Sequence, residues 1–437
     1  MRQALILAGG KGTRVSEMSG GLPKPMLRMA GKPVLEYAIE RLVSAGVSDI
    51  HLFTGYESNI ISEYFGDGKK FGCVITYHVE QEPRGTAGEI VQHLGELDEE
   101  FLVVYGDMIF NIDLTLFEAF HREHDSEVTL ILHTNDHPQD SDIVDIEEDG
   151  KVVALHRYPH PENVYLPNMT NAAFYLMKKN VLEPWIFHVG KIDFAHDIFP
   201  SLVTSGRRIF GYVTREYLKD MGTPERFKKV ENDITTGKVE RGSYATQKKA
   251  IFLDRDGTLV RSAGYVIRPE ELVLEEGAGE AVRMIHGADY LPVLITNQPV
   301  IARGDVSEEG LKAIHNKMES DLGREGTYLT ALYYCPHHPD AGFEGERPEY
   351  KKECDCRKPE IELIKKAVKD LHIDTEGSWF VGDSTVDIMT AKNAGLRSVL
   401  VQTGSAGLDG KYEIQAEYEV PNLLEAVRCI LAEHSSP

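Results

Sequence analysis

Two aspartates, two residues apart, close the apolar run in "AIFLDRDGTLV", and the companions of Asp254 and Asp256 define a chemistry. Thr296 ends the run "PVLIT", Lys358 follows in "CRKP", and Asp383 ends "SWFVGD" with Asp387 four residues on. A nucleophilic carboxylate, a second acid, a hydroxyl, a lysine and a metal-holding acid are the set needed to move a phosphoryl group through an aspartyl phosphate. The pair alone is also good turn chemistry. A calcium loop of the EF-hand type is excluded, because its glycine belongs at the sixth position and Gly257 is at the fourth.

A second set lies near the start of the chain. "LILAGGKGTR" runs from an apolar stretch into Gly9, Gly10, Lys11 and Arg14, and "LPKPM" sets Lys24 between two prolines that fix its backbone. A P-loop fails on spacing and a dinucleotide fingerprint fails at Val15. Backbone N–H groups with cationic side chains suit a triphosphate whose leaving pyrophosphate needs its charge held. A third set, Cys335, His337, Cys354 and Cys356, offers three thiolates and an imidazole for a tetrahedral, structural Zn²⁺ beside Lys358, with His338 as an alternative to His337.

Elements that position these residues are legible as alternation. "QALILAGG", "PVLEYAIERLVSAG", "DIHLFTGY", "SNIISEYFG" and "EEFLVVYGD" alternate strand and helix patterns, which predicts a parallel sheet flanked by helices. The pattern fades after "TPERFKKVENDI", and residues 236–249 read as a polar linker. At 250 it restarts with "AIFLDRDGT", "AVRMIHGADYLPVLITNQ", "IELIKKAVKDL" and "SWFVGDSTVDIMTAKNAG". The expectation is an α/β chain with domains at 1–235 and 250–437, and ligands at the carboxyl ends of the strands.

Composition agrees. At 437 residues with 42% hydrophobic residues, the chain has material for two packed cores. A formal charge of −23 disfavours nucleic acid or an anionic membrane as the main partner. Five cysteines, three of them between 335 and 356, suit a metal site in a reducing compartment, and no apolar run approaches a membrane span. A cytoplasmic protein is expected, and its oligomeric state is not encoded in any pattern.

In 250–437 the motifs resemble, in order, those of the haloacid dehalogenase superfamily. The resemblance implies Asp254 as nucleophile, Asp256 as general acid and base, Thr296 and Lys358 as holders of the phosphoryl oxygens, and Mg²⁺ on Asp254, Asp383 and the Asp256 carbonyl. Little room between Asp256 and Thr296 for an inserted cap, together with "CPH" and "CDCRKP", narrows it to the capless branch of heptose 1,7-bisphosphate and histidinol-phosphate phosphatases. "GYVIRPEELVLEEG" and "ITNQPVIARG" look more like the heptose group, which makes Asn297, Arg303 and Arg357 substrate-binding candidates. Pro299 departs from that pattern, where a small polar residue is expected.

"LAGGKGTR", "LPKPM", "EPRGTAGEI", "VVYGDMIF" and "LKDMGTPERF" together resemble the nucleotide-sugar pyrophosphorylases. That resemblance implies a Rossmann-like nucleotidyltransferase domain. Gly9, Gly10, Lys11, Arg14 and Lys24 would face a nucleoside triphosphate. Gly85, Thr86, Ala87 and Gly88 would lie near base or sugar, Asn171 at the sugar, and Asp107 and Asp220 on Mg²⁺. His196 in "FAHD" stands where relatives carry a cation for the sugar phosphate. Joined, the halves imply consecutive steps: removal of the 7-phosphate from D-glycero-D-manno-heptose 1,7-bisphosphate, then nucleotidyl transfer, with GTP as the implied donor, to heptose 1-phosphate. Pro299 and His196 keep open another sugar or polyol phosphate with CTP or another nucleotide. A half acting as a non-catalytic binding module is the remaining reading.

Overall fold

The computed structural model describes residues 2–10, 21–161, 164–262, 264–342 and 344–434, the His434 side chain aside. It divides into two compact units, Met1–His133 with Asp142–Arg157 and Thr170–Thr246, and Gln247–Pro437 with Thr134–Ser141 and Tyr158–Met169.

In the first unit the apolar runs form four parallel strands in the spatial order Val74–Val79, Asp49–Thr54, Gln3–Ala8, Glu100–Tyr105. The helix Val34–Ser44 buries Val34, Leu35, Ala38, Ile39 and Leu42, the spacing of one helical face. Beyond Glu100–Tyr105 the sheet changes direction. Thr170–Lys178 runs antiparallel to it, so the sheet is mixed rather than wholly parallel as the alternation predicts. Val128–His133, Ile143–Ile146 and Val152–His156 extend this antiparallel part. Because the chain first steps to one side of Gln3–Ala8 and returns to the other at Glu100–Tyr105, a crevice opens between the carboxyl ends of those two strands. A ribbon of Met108–Asn111 with Tyr217–Asp220 pairs Asp220 with Met108, bringing it beside Asp107.

Residues 236–249, read from composition as a linker, carry more structure than that reading predicts. They hold the helix Lys238–Arg241, with Val239 buried in a cluster containing Leu27, Tyr217 and Val230. The Asn111 amide also donates to the carbonyls of Val239 and Glu240. Val239, in a largely polar stretch and invisible to periodicity, supplies this anchor.

The second unit has a six-stranded parallel sheet in the order Ala331–Cys335, Leu291–Asn297, Lys248–Leu253, Ile373–Gly382, Arg397–Val401, Tyr418–Val420. Helices Glu308–Arg324, Glu362–Leu371 and Thr385–Asn393 follow three of these strands, and Glu362–Leu371 buries Leu363, Ile364, Ala367 and Leu371 on one face. The strand order reverses between Lys248–Leu253 and Ile373–Gly382, where Asp254 and Asp383 emerge. Two segments from within the expected first domain belong here. The Asn168 N–H donates to the Glu319 carboxylate at 2.9 Å, and the Asn316 amide donates to the Tyr165 carbonyl at 3.0 Å. Among the described residues, no helix is long and apolar enough to cross a membrane.

Candidate active sites

At the crevice of the first unit lies a cleft of about 770 Å³, lined by Gly9, Gly10, Lys24, Gly85, Thr86, Tyr105, Asp107 and Asp193 among others. Lys24 is presented by a 3-10 turn between its two prolines, and its ammonium pairs with the Asp107 carboxylate. Asp220 accepts from the Gly222 N–H at 2.6 Å and from Arg226 at 3.2 Å. Burial works against its ionisation, but Arg226 and the Gly222 N–H hold its carboxyl below the usual range. Two carboxylates, each countered by a cation, are a donor set that fits a divalent ion.

Gly85 opens the helix Gly85–Gln92 at φ +85°, where a Cβ would stand 2.4 Å from the Ile192 carbonyl oxygen, so a side chain is excluded twice over. Thr86 donates to Asp193 at 2.8 Å and accepts from the Phe194 N–H at 2.9 Å. Burial pushes the Tyr105 phenol up, so it stays a neutral hydroxyl beside Thr86.

Several expected contacts fall elsewhere. Ala87 and Gly88 are buried in the helix rather than lining the cleft, because the helical turn rotates them into the core. Asn171 is not among the lining residues, since its amide folds back on Tyr175 at 3.3 Å and on the Ala173 N–H. His196 is exposed and away from the lining, in a turn capped by Asp193. Lys11 and Arg14 lie outside the described residues.

In the second unit Asp254, Thr296, Lys358, Asp383 and Asp387 are all buried. The Lys358 ammonium donates to Asp254 at 2.6 Å and to Asp387 at 2.5 Å. Burial opposes that charge, but the two carboxylates hold the lysine above its ordinary range. Gly257 sits at φ +84°, with room for no Cβ, since one would lie 2.6 Å from the Asp383 carboxylate. Asp256 is held by the fully buried Arg255 at 2.9 and 3.0 Å and by Gln298 at 2.9 Å. Gln298 also donates to the Thr296 hydroxyl at 2.9 Å.

Asn297, expected to meet substrate, spends its amide on the Lys358 backbone, accepting from the N–H at 3.0 Å and donating to the carbonyl at 3.2 Å. It fixes the lysine rather than offering a free group. Arg357 donates to the His337 carbonyl at 3.1 Å, and Arg303 pairs with Asp305 and lies over the Tyr265 ring. Pro299 is buried in a turn, where its carbonyl accepts from the Arg303 N–H at 2.9 Å. Sequence reasoning noted Asp387 without assigning it a site role, although Ser384 and Asp387 carry the spacing of a helix-capping box.

Carboxylate oxygens of Asp254, Asp383 and Asp387 lie within 4.8 Å of one another, a donor set that fits a hard divalent cation. Burial and the neighbouring acids push Asp254 up despite Lys358, and burial with Asp387 pushes Asp383 up to about 6. Such acids stabilise the metal-free fold below about pH 4, the unfolded value, and that contribution is lost as pH rises through the folded values. Cation binding requires the carboxylates. Adding Mg²⁺ is therefore expected to release protons, more at pH 6 than at pH 9, and pH-stat titration checks this.

Beside Lys358 the sulfurs of Cys335, Cys354 and Cys356 are 3.2 to 3.5 Å apart, and His337 Nδ1 is 3.3 Å from the Cys356 sulfur. Those separations are too long for disulfides. They approach the ~3.8 Å expected for thiolates sharing a tetrahedral zinc. His338 is not part of the cluster, because its ring accepts from the Asp340 N–H. Since Arg357 and Lys358 directly follow Cys356, Cys354→Ser is expected to lower the melting temperature by ~10 °C and reduce phosphate release, checked by calorimetry and assay.

Fold and geometry thus define a chain with a glycine- and lysine-lined cleft in one unit and a buried carboxylate–lysine constellation in the other. The chain belongs to the nucleotidyl transferase family, which matches residues 3–237, and to the HAD-hydrolase-like family, which matches 355–426. It is a transferase and phosphatase enzyme. It is 35% identical over 237 residues to mannose-1-phosphate guanylyltransferase of Mycobacterium tuberculosis, covering 54% of this chain and 65% of that relative. It is 40% identical over 182 residues to D-glycero-beta-D-manno-heptose-1,7-bisphosphate 7-phosphatase of Haemophilus ducreyi, covering 41% of this chain and 97% of that relative. The crystal structure of HddC from Yersinia pseudotuberculosis is 27% identical and aligns with 54% of this chain and 100% of its own, at a TM-score of 0.47.

Proposed function

We propose that the chain removes the 7-phosphate of D-glycero-D-manno-heptose 1,7-bisphosphate and transfers GMP from GTP to heptose 1-phosphate, releasing pyrophosphate. The observation that carries the first step is the Asp254–Lys358–Asp387 contact at a sheet switch point. The 40% identity to the Haemophilus ducreyi phosphatase supports the heptose, and the 35% identity to the guanylyltransferase supports guanine. The product of one step is the acceptor class of the other, which gives the fusion a chemical reason.

In the phosphatase step an Asp254 oxygen attacks phosphorus, forming the aspartyl phosphate as the ester P–O bond breaks. Asp256 gives its proton to the leaving sugar oxygen, then takes one from the water that attacks the aspartyl phosphate, releasing inorganic phosphate and restoring Asp254. Lys358 neutralises the approach of two anions, and Thr296 offers its hydroxyl to a phosphoryl oxygen. Arg255 and Gln298 aim Asp256. Asp254, Asp383 and the Asp256 carbonyl would hold Mg²⁺, with Asp387 close by, supplying charge neutralisation at the phosphoryl oxygens. Zinc held by Cys335, His337, Cys354 and Cys356 would have a structural role.

In the first unit the sugar phosphate oxygen attacks the α-phosphorus and the bond to pyrophosphate breaks, with no covalent enzyme intermediate. Gly9 and Gly10 admit the triphosphate closely, Lys24 counters the leaving charge, and Asp107 with Asp220 would hold the Mg²⁺ that neutralises the phosphates. Presenting GTP, CTP, ATP and UTP separately with heptose 1-phosphate, mannose 1-phosphate and glucose 1-phosphate tests this reading. Pyrophosphate release with GTP and the heptose supports it. Preference for CTP or for a different sugar overturns the assignment.

A further inference from the structure

Beside the cleft, the first unit assembles a histidine cluster that the proposed reactions leave unused. His51 and His78 lie on the neighbouring strands Asp49–Thr54 and Val74–Val79. His93 follows the helix Gly85–Gln92, and Glu96 closes the next turn. Ligand atoms of His78, His93 and Glu96 lie within 4.8 Å of one another.

The surrounding bonds orient these groups as ligands. His51 Nδ1 meets His78 Nε2 at 2.8 Å, and His51 Nε2 faces the Asp49 carboxylate at 3.4 Å. The Gln3 amide nitrogen lies 3.4 Å from the same His51 Nε2, and the His51–His78 hydrogen bond fixes the orientation of the His78 ring. His93 Nε2 stands 3.5 Å from Glu89, while its Nδ1 is 2.9 Å from the Glu96 carboxylate. A ring whose far nitrogen is held by a carboxylate, with the near nitrogen beside a second donor, is the arrangement found behind metal-bound histidines. Two imidazoles and a carboxylate select an ion of the zinc type over Mg²⁺ or Ca²⁺.

We propose that His78, His93 and Glu96 bind a divalent transition-metal ion, oriented by His51 and Glu89. The site adjoins the cleft, because Glu89 and Phe53 both line it and the Phe53 ring stacks on His78 at 4.7 Å.

The test uses the untagged full chain equilibrated with micromolar free Zn²⁺, desalted, and analysed for zinc by atomic emission. Wild-type protein is expected to retain about one zinc equivalent more than His93→Ala and than Glu96→Gln, the difference being independent of zinc on the cysteine cluster. In ¹⁵N spectra of the wild type, zinc should shift the ring nitrogens of His78 and His93. Retained nucleotidyl transfer confirms that the variants fold, since neither residue lines the cleft. Equal zinc content in all three proteins, with unmoved ring signals, overturns the proposal and leaves His93 as an ordinary ion-pair partner of Glu96 and Glu89.

Discussion

Asp254→Asn is expected to lower phosphate release by at least about 10⁴-fold while leaving nucleotidyl transfer unchanged. The amide is nearly the same size, so the loss comes from chemistry. It has no charge to attack phosphorus, and it leaves the Lys358 ammonium, 2.5 Å from Asp387, without its second carboxylate. Packing should survive, because the buried charge of Lys358 keeps one partner and the acids that push Asp254 up are relieved of one repulsion. Steady-state phosphate release and pyrophosphate release on the same preparation check both halves of the prediction. Equal loss of the two activities would show that the substitution disrupts the chain generally.

Asp107→Asn is expected to do the converse, reducing nucleotidyl transfer by about 10³-fold with phosphate release intact. Asp107 is the carboxylate that Lys24 pairs with, and Asp220 is brought beside it by the pairing of Asp220 with Met108. Neutralising it removes a donor for a divalent ion and frees Lys24 to pair elsewhere, so kcat should fall more than the affinity for nucleotide. Pyrophosphate release at saturating nucleotide, with nucleotide binding measured separately, distinguishes the two.

Much of each site is legible in the sequence because it lies where a buried strand stops. "AIFLD" and "WFVGD" end at a switch point, and "LILAGG" and "VVYGD" end at another. Apolar runs of this kind have few structural alternatives in an α/β chain, and the residues after them are exposed to ligand by topology. The cysteine cluster is legible for a different reason, since soft donors so close in sequence need only one loop to meet.

What is not legible depends on tertiary contacts. Ala87 and Gly88 share a motif with Gly85, yet the helix turns them inward. Asn297 carries a free amide in the sequence and meets the Lys358 backbone 61 residues away. Arg255, between the two aspartates, has nothing in its spacing to show that it is fully buried and grips Asp256. The antiparallel part of the first sheet is hidden because Thr170–Lys178 has the same apolar character as the parallel strands. The Val239 anchor and the packing of residues 158–169 in the second unit each rest on a few contacts with no period to betray them.

The central claim is that one chain carries out both steps in sequence. The most direct measurement is a ³¹P NMR time course of the purified protein with D-glycero-D-manno-heptose 1,7-bisphosphate, GTP and Mg²⁺. The account predicts loss of the 7-phosphate signal with growth of inorganic phosphate, followed by pyrophosphate and the paired diphosphate resonances of a GDP-sugar. Asp254→Asn should block all of these signals, and Asp107→Asn only the second group. An unchanged 7-phosphate signal, or inorganic phosphate without any nucleotide sugar when GTP is present, would contradict it.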